Sequence, residues 1–141
     1  MIEYTVKVFS NRTEWYLNGK LHREDGPAIE KPNGDKRWLQ NGVIHRLDGP
    51  AIKEADGSEF WYKNGLCHRE NGPAFTQVGY SKYWMLNNKL HRLDGPAIEY
   101  ADGTKYWYIE GKELTEAEFL ARSKPCSGKK VTIDGIEYEL V

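Results

Sequence analysis

Four histidine-arginine pairs, His22-Arg23, His45-Arg46, His68-Arg69 and His91-Arg92, recur at a constant spacing of 23 residues. An imidazole beside a guanidinium can present donors and positive charge to a phosphate or a carboxylate. All four histidines of the chain belong to these pairs, and its five tryptophans, Trp15, Trp38, Trp61, Trp84 and Trp107, fall on the same lattice. Aromatic rings near such cations can stack on a base, and Tyr62, Tyr80 and Tyr83 are the tyrosines that would join the eight His-Arg positions in such a site.

The same residues also have a plainer reading. Histidine would stack beside tryptophan and hydrogen-bond the Asp-Gly-Pro corner that follows it, while arginine would pair with Asp25, Asp48 or Asp94. Tryptophan and tyrosine would then build the faces of a sheet. Four copies at one spacing obey a structural rule, whereas a site usually breaks a repeat's symmetry.

Other chemistry finds little spelling. A metal shared between units is ruled out by reach, since equivalent histidines stand at least two strands apart, about 10 Å. The two cysteines, Cys67 and Cys126, have no metal or redox spacing, and Cys67 occupies the column of Leu21, Ile44 and Leu90, so it reads as a small buried hydrophobe. No glycine-rich phosphate loop, nucleophile elbow or zinc signature occurs. The expectation is therefore no catalytic residue, no metal, no cofactor, and a protein that is not an enzyme.

The elements that would position these side chains follow from the period, because a fixed repeat of this length marks a repeat architecture. Residues 2–9 alternate like a strand and would cap the missing preceding unit, with 10–13 as the turn. Each unit then reads as a hairpin: Trp15-Tyr16-Leu17, a type I′ turn at Asn18-Gly19, and Lys20-Leu21-His22. Asn41-Gly42 and Asn64-Gly65 repeat the turn, and Asn88 stands in for the glycine of the fourth. Asp25-Gly26-Pro27 and its copies read as sharp corners, with a glycine conformation closed to other residues. A further short strand follows, turning at Asn33-Gly34, Asp56-Gly57 or Asp102-Gly103. The third unit departs, with Val78-Gly79-Tyr80 at this turn and Cys67, Asn71 and Phe75 off pattern. Two-residue loops at 18–19 and 33–34 would pair Trp15 with His22 and Ile29 with Trp38, placing isoleucine, tryptophan and histidine in one row, whereas a bulged turn would shift this register by one. After Trp107 the pattern ends. Thr115-Glu116-Ala117-Glu118 spells a capping box opening a helix to about Arg122, with Phe119 and Leu120 over the open end and Ser123-Lys124-Pro125 as its stop. Residues 131–138 read as a closing hairpin around Asp134-Gly135.

The fold class is thus all-β: an elongated single-layer repeat sheet of stacked β-hairpins, with a short C-terminal helix and hairpin cap. One repeat domain would span 1–141, divided into a capping strand (1–12), tandem repeats (13–112) and a C-terminal cap (113–141). The bulk numbers agree. Of 141 residues only 39% are apolar, which suits thin units that bury themselves against their neighbours. The net charge of −1 argues against nonspecific nucleic-acid binding, and specific nucleic-acid recognition is not expected either. No long apolar run or basic-then-apolar leader occurs, so no membrane association is expected and a reducing cytoplasm fits.

Over residues 13–112 the unit resembles the MORN repeat, on Asn18-Gly19-Lys20-x-His22 and Tyr100-Ala101-Asp102-Gly103-x-x-Tyr106. Standard MORN units follow the histidine with glycine-x-glycine. Here Arg-x-Asp/Asn-Gly-Pro-Ala stands instead, closer to the MORN-variant repeats common in large phages and giant viruses. Leu114-Thr115-Glu116-Ala117-Glu118-Phe119 is similar to the helix that often ends them. The resemblance implies a stack of β-hairpins used as an interaction scaffold, and a viral origin. The functional expectation is a non-enzymatic protein-binding scaffold whose partner is a host protein, such as one of a defence system, met in the host cytoplasm. The alternative is a small-molecule binder that sequesters a nucleotide-like signal through arginine, histidine and aromatic side chains.

Overall fold

The computed structural model describes residues 2–123 and 129–140. Every strand pairing is antiparallel. A twelve-stranded sheet starts at Thr5–Val8 and Thr13–Leu17. It then alternates between strands that leave a corner (Ile29–Glu30, Ile52–Lys53, Phe75–Gln77, Ile98–Tyr100) and strands that lead to a tryptophan (Lys36–Arg37, Glu59–Phe60, Ser81–Tyr83, Lys105–Ile109). It ends on Lys112–Leu114, and Lys20–Leu21, paired to Thr13–Leu17 off this path, is the twelfth strand.

Three tryptophans, Trp38, Trp61 and Trp84, stand where the chain leaves this sheet. Beyond each lies a separate two-stranded ladder: Leu39–Gln40 with Val43–Ile44, Tyr62–Lys63 with Leu66–Cys67, and Met85–Leu86 with Lys89–Leu90. Each hinge N–H is satisfied across the sheet, Trp38 donating to the Ala51 carbonyl at 2.8 Å, Trp61 to Ala74 at 2.6 Å and Trp84 to Ala97 at 2.8 Å. Ala28, Ala51, Ala74 and Ala97 are fully buried, which explains why this column admits no larger side chain.

The short turns form as their spelling dictates. Asn18 and Gly19 both have positive φ, at 53° and 76°, and Leu17 opposes Lys20 while Tyr16 opposes Leu21. Asn87 and Asn88 adopt 47° and 66°. Trp15 accepts from the His22 N–H at 3.0 Å, so that expected pair forms.

The longer turns differ from expectation. Ile29 opposes Arg37, not Trp38. Lys31 N–H donates to the Asp35 carbonyl at 2.9 Å, enclosing Pro32-Asn33-Gly34 as a three-residue loop with Gly34 at φ 104°. That is a type I turn closed by a left-handed glycine, and its extra residue moves the register by one. Ile98 likewise opposes Tyr106. The expected row of isoleucine, tryptophan and histidine therefore gives way to one that crosses the sheet through Ile29, Arg37, Ile52, Phe60, Phe75, Tyr83, Ile98 and Tyr106. Its rings meet edge to face, Phe60 to Phe75 at 4.4 Å between centroids and Phe75 to Tyr83 at 5.0 Å. Of the turns that lead into a tryptophan strand, the first, at Ser10-Asn11, is a two-residue loop, and there Val6 opposes Trp15.

At the C-terminal side Thr115 Oγ1 accepts the Glu118 N–H at 3.1 Å, opening a helix over Glu116–Ser123. Phe119 is buried and its ring lies 6.5 Å from that of Trp107. Leu120, expected beside it, is 48% exposed. Lys124 and Pro125, read as the helix stop, lie outside the described residues. A last hairpin pairs Lys129–Ile133 with Ile136–Leu140 around Asp134-Gly135.

Candidate functional site

The His-Arg column is assembled where the tryptophan hinge meets the Gly-Pro corner. Each arginine stands over the ring of its own unit's tryptophan. The guanidinium carbon stands 4.2 Å from the ring centroid at Arg23 and Trp15, 4.0 Å at Arg46 and Trp38, 3.9 Å at Arg69 and Trp61, and 3.8 Å at Arg92 and Trp84. The guanidinium also abuts the corner glycine. A β-carbon built on Gly26, Gly49, Gly72 or Gly95 would meet the arginine Cζ at 2.9, 2.7, 3.0 or 2.8 Å.

The corner glycine is required for this close approach. Of the four, only Gly72 has positive φ, at 149°, which corrects the expectation of a forbidden backbone conformation at every corner.

The guanidinium edge is occupied too. Arg46 donates from Nε to Asp48 at 2.9 Å and from Nη1 to the Pro50 carbonyl at 3.1 Å. Arg23 and Arg92 do the same with Asp25 and Pro27, and with Asp94 and Pro96. The predicted Arg-Asp pairs are therefore present. In the third unit Asn71 replaces the aspartate, and Arg69 keeps its bond to Pro73 at 3.1 Å. The Arg46 hydrogen bond holds the Asp48 carboxyl below the usual carboxylate range.

Histidine plays a part the sequence did not reveal. Its Nδ1 accepts the backbone N–H at the turn of the following unit: Asn41 to His22 at 2.9 Å, Asn64 to His45 at 2.9 Å, Asn87 to His68 at 3.1 Å and Glu110 to His91 at 2.9 Å. It bonds neither the corner nor the tryptophan face, which arginine covers. A neutral imidazole that accepts at Nδ1 carries its proton on Nε2.

The fate of that Nε2–H alternates along the column. His22 and His68 place Nε2 3.5 Å from a carboxylate oxygen of Glu24 and Glu70, and the buried His22 Nε2 makes no hydrogen bond among the described residues. In the second and fourth units Leu47 and Leu93 occupy the glutamate position, and both leucines are strongly exposed, at 72% and 65%.

Between neighbouring units the corner loops enclose a cleft. Three follow one another, of about 390 Å³ beside Trp38 and His45, 340 Å³ beside Trp61 and His68, and 640 Å³ beside Trp84 and His91. Arg46 and Leu47 line both the first and the second, and Arg69 to Asn71 both the second and the third, so the three form one groove. Its arginines are covered, with side chains 20–23% exposed at Arg23, Arg46 and Arg92, while the carboxylates of Asp25, Asp48 and Asp94 are 76–86% exposed. The first and third clefts thus offer a ligand acidic and apolar surface despite the arginines beneath, while Lys63 and Asn71 join Glu70 in the middle one.

The three tyrosines are not gathered there. Tyr62 lies on a short ladder opposite Cys67, where burial raises its pKa. Tyr83 stands in the aromatic row with its Oη 3.4 Å from that of Tyr100. Tyr80 is exposed at the off-pattern turn of the third unit. Leu47 and Leu93 are the groove residues that sequence reasoning missed. Their signal was the alternation Glu24, Leu47, Glu70, Leu93 at one column.

Compared with protein-family models, curated proteins and solved structures, the chain matches none. Among the described residues no helix is long and apolar enough to cross a membrane.

Proposed function

We propose that this chain is a non-enzymatic binding platform: MORN-like 23-residue units stacked as an elongated single-layer sheet that docks a protein partner. The observation that carries this reading is the groove, a row of clefts at one per unit with tryptophan, exposed leucine and exposed carboxylate in each neighbourhood. Protein-binding surfaces draw their energy from aromatic and aliphatic anchors ringed by polar groups, and the groove supplies both. A nucleotide-like ligand is less well served, because each guanidinium lies between tryptophan and corner glycine, and at Arg23, Arg46 and Arg92 its edge is taken by an aspartate and a proline carbonyl, at Arg69 by the Pro73 carbonyl. Affinity capture from cells of the source organism tests the platform. A stoichiometric protein partner is the expected result, and an empty capture at several ionic strengths overturns it.

A further inference from the structure

Resting on the platform reading, we propose that the groove takes a basic, proline-rich segment of a protein partner, held as a polyproline II helix with one residue in three turned into successive clefts.

Spacing is the first ground. Equivalent strands of neighbouring units are two places apart in the sheet, as Lys36–Arg37 and Glu59–Phe60 are. Two strand spacings give about 9.5 Å between clefts. A polyproline II helix advances about 9.3 Å in its three-residue turn. A fully extended strand has a period of two and matches this interval poorly.

The lining is the second. Each tryptophan stays part-exposed under its arginine and, beside an exposed leucine, makes a shallow apolar slot suited to a pyrrolidine ring; aromatic-lined grooves are the usual receptors for such helices.

Hydrogen bonding is the third. A polyproline II backbone has no internal bonds, so its carbonyls seek external donors. His45 and His91 supply them: each Nδ1 is committed to the next turn, and each Nε2–H stands in a unit where leucine has replaced the glutamate that faces His22 and His68.

Charge is the fourth. The carboxylates of Asp25, Asp48, Glu70 and Asp94 at the groove rim are exposed, Arg23, Arg46 and Arg92 beneath are covered, and Lys63 is the lysine among the lining residues, so a partner bearing Lys or Arg between its prolines complements the rim.

The chain itself supplies the discriminating variant. Leu47→Glu with Leu93→Glu copies the residues found in its first and third units, so the fold has precedent for both. It removes the apolar anchors and places a carboxylate against each free Nε2–H. A labelled peptide of repeated Pro-Pro-Arg triplets, about 15 residues long to span three turns with flanks, is titrated by fluorescence anisotropy at low salt. Gly-Ser-Arg triplets of the same length and charge are the control. The expected result is Pro-Pro-Arg binding at least tenfold tighter than the control, a comparable loss in the double variant, and movement of the His45 and His91 Nε2 resonances on titration. Equal binding of the two peptides, undiminished binding by the variant, or no binding at all overturns the assignment. If the peptide fails while wild type and double variant capture the same cellular protein, the platform reading survives and this inference alone falls. If capture is empty as well, both fall.

Discussion

The guanidinium carbon of Arg46 stands 2.7 Å from where a β-carbon on Gly49 would lie. A methyl at residue 49 must therefore push Arg46 off Trp38 and strain its bond to the Pro50 carbonyl. The stacking contributes about 0.5–2 kcal/mol and the charged hydrogen bond about 1.5–3 kcal/mol. Gly49→Ala should thus destabilise by roughly 2–4 kcal/mol, partial relaxation taking back some of the sum. In an Arg46→Ala background nothing is left to displace, and the same change should cost under about 1 kcal/mol. Chemical denaturation of the four proteins closes the cycle. Additive losses would show that the corner does not depend on the arginine.

The histidine links predict a different signature. Removing the acceptor in His45→Phe leaves the Asn64 N–H to water, at a cost of about 1 kcal/mol. His22→Phe should cost more, because His22 is buried and water reaches the Asn41 N–H less easily. Hydrogen exchange is the sharper measurement. The amide of residue 64 should exchange faster in His45→Phe and that of residue 41 faster in His22→Phe, while protection unchanged in both would remove the inter-unit role.

What the sequence revealed divides by range. The Asn-Gly turns and the Trp15–His22 pairing were legible because they depend on residues a few places apart with one dominant conformation. The register at Asn33-Gly34 was not legible, because an Asn-Gly or Asp-Gly pair closes a two- or a three-residue loop and periodicity alone does not separate the two: Asp56-Gly57 and Asp102-Gly103, with alanine before them, close the same three-residue loop. The Arg-Asp pairs were legible as neighbours in sequence. The histidine bond to the next unit was not, because it exists only once two units are stacked. Nor was the groove, whose leucines look like ordinary surface residues until the clefts between units are seen.

Committed guanidiniums make a prediction about anions. Thermal unfolding with a panel of mono- and dinucleotides should show no stabilisation, since a grip on phosphate would first have to break Arg-Pro and Arg-Asp bonds at Arg23, Arg46 and Arg92, and the bond to Pro73 at Arg69. A ligand present at 100 times its Kd would add about 2.7 kcal/mol, a shift readily seen. Any nucleotide that produces it revives the sequestering alternative.

Burial pushes the Cys67 thiol up from its ordinary 9.0 to about 11. At pH 8 the folded protein should hold about one-hundredth of the thiolate that a free thiol would, and alkylation should slow by at least that factor. The protonated form is favoured in the folded state, so this contribution to stability is complete below pH 9.0 and is lost as pH rises towards about 11. A Cys126→Ser protein leaves Cys67 as the single thiol. Iodoacetamide labelling with and without denaturant measures the ratio, and equal rates would place Cys67 at the surface.

Asn88 sets two effects against each other. Its left-handed conformation, φ 66°, is one that glycine adopts without strain, and turn chemistry alone would make Asn88→Gly stabilising by up to about 1 kcal/mol. Yet the Asn88 side chain does something no glycine can: its Oδ1 accepts the Cys67 N–H of the preceding unit at 2.6 Å. Cys67 is 6% exposed, whereas Leu21, Ile44 and Leu90 at the same column are half-buried, so water is a poorer substitute there. An unsatisfied buried N–H costs about 1–3 kcal/mol, more than the relief of the turn. Asn88→Gly should therefore destabilise by roughly 1 kcal/mol, although it restores the spelling of the other turns, and the reverse exchange Gly65→Asn should cost less than Asn88→Gly. Denaturation midpoints for the two variants decide it: a gain in stability for Asn88→Gly would show that turn propensity, not the link between units, governs this position.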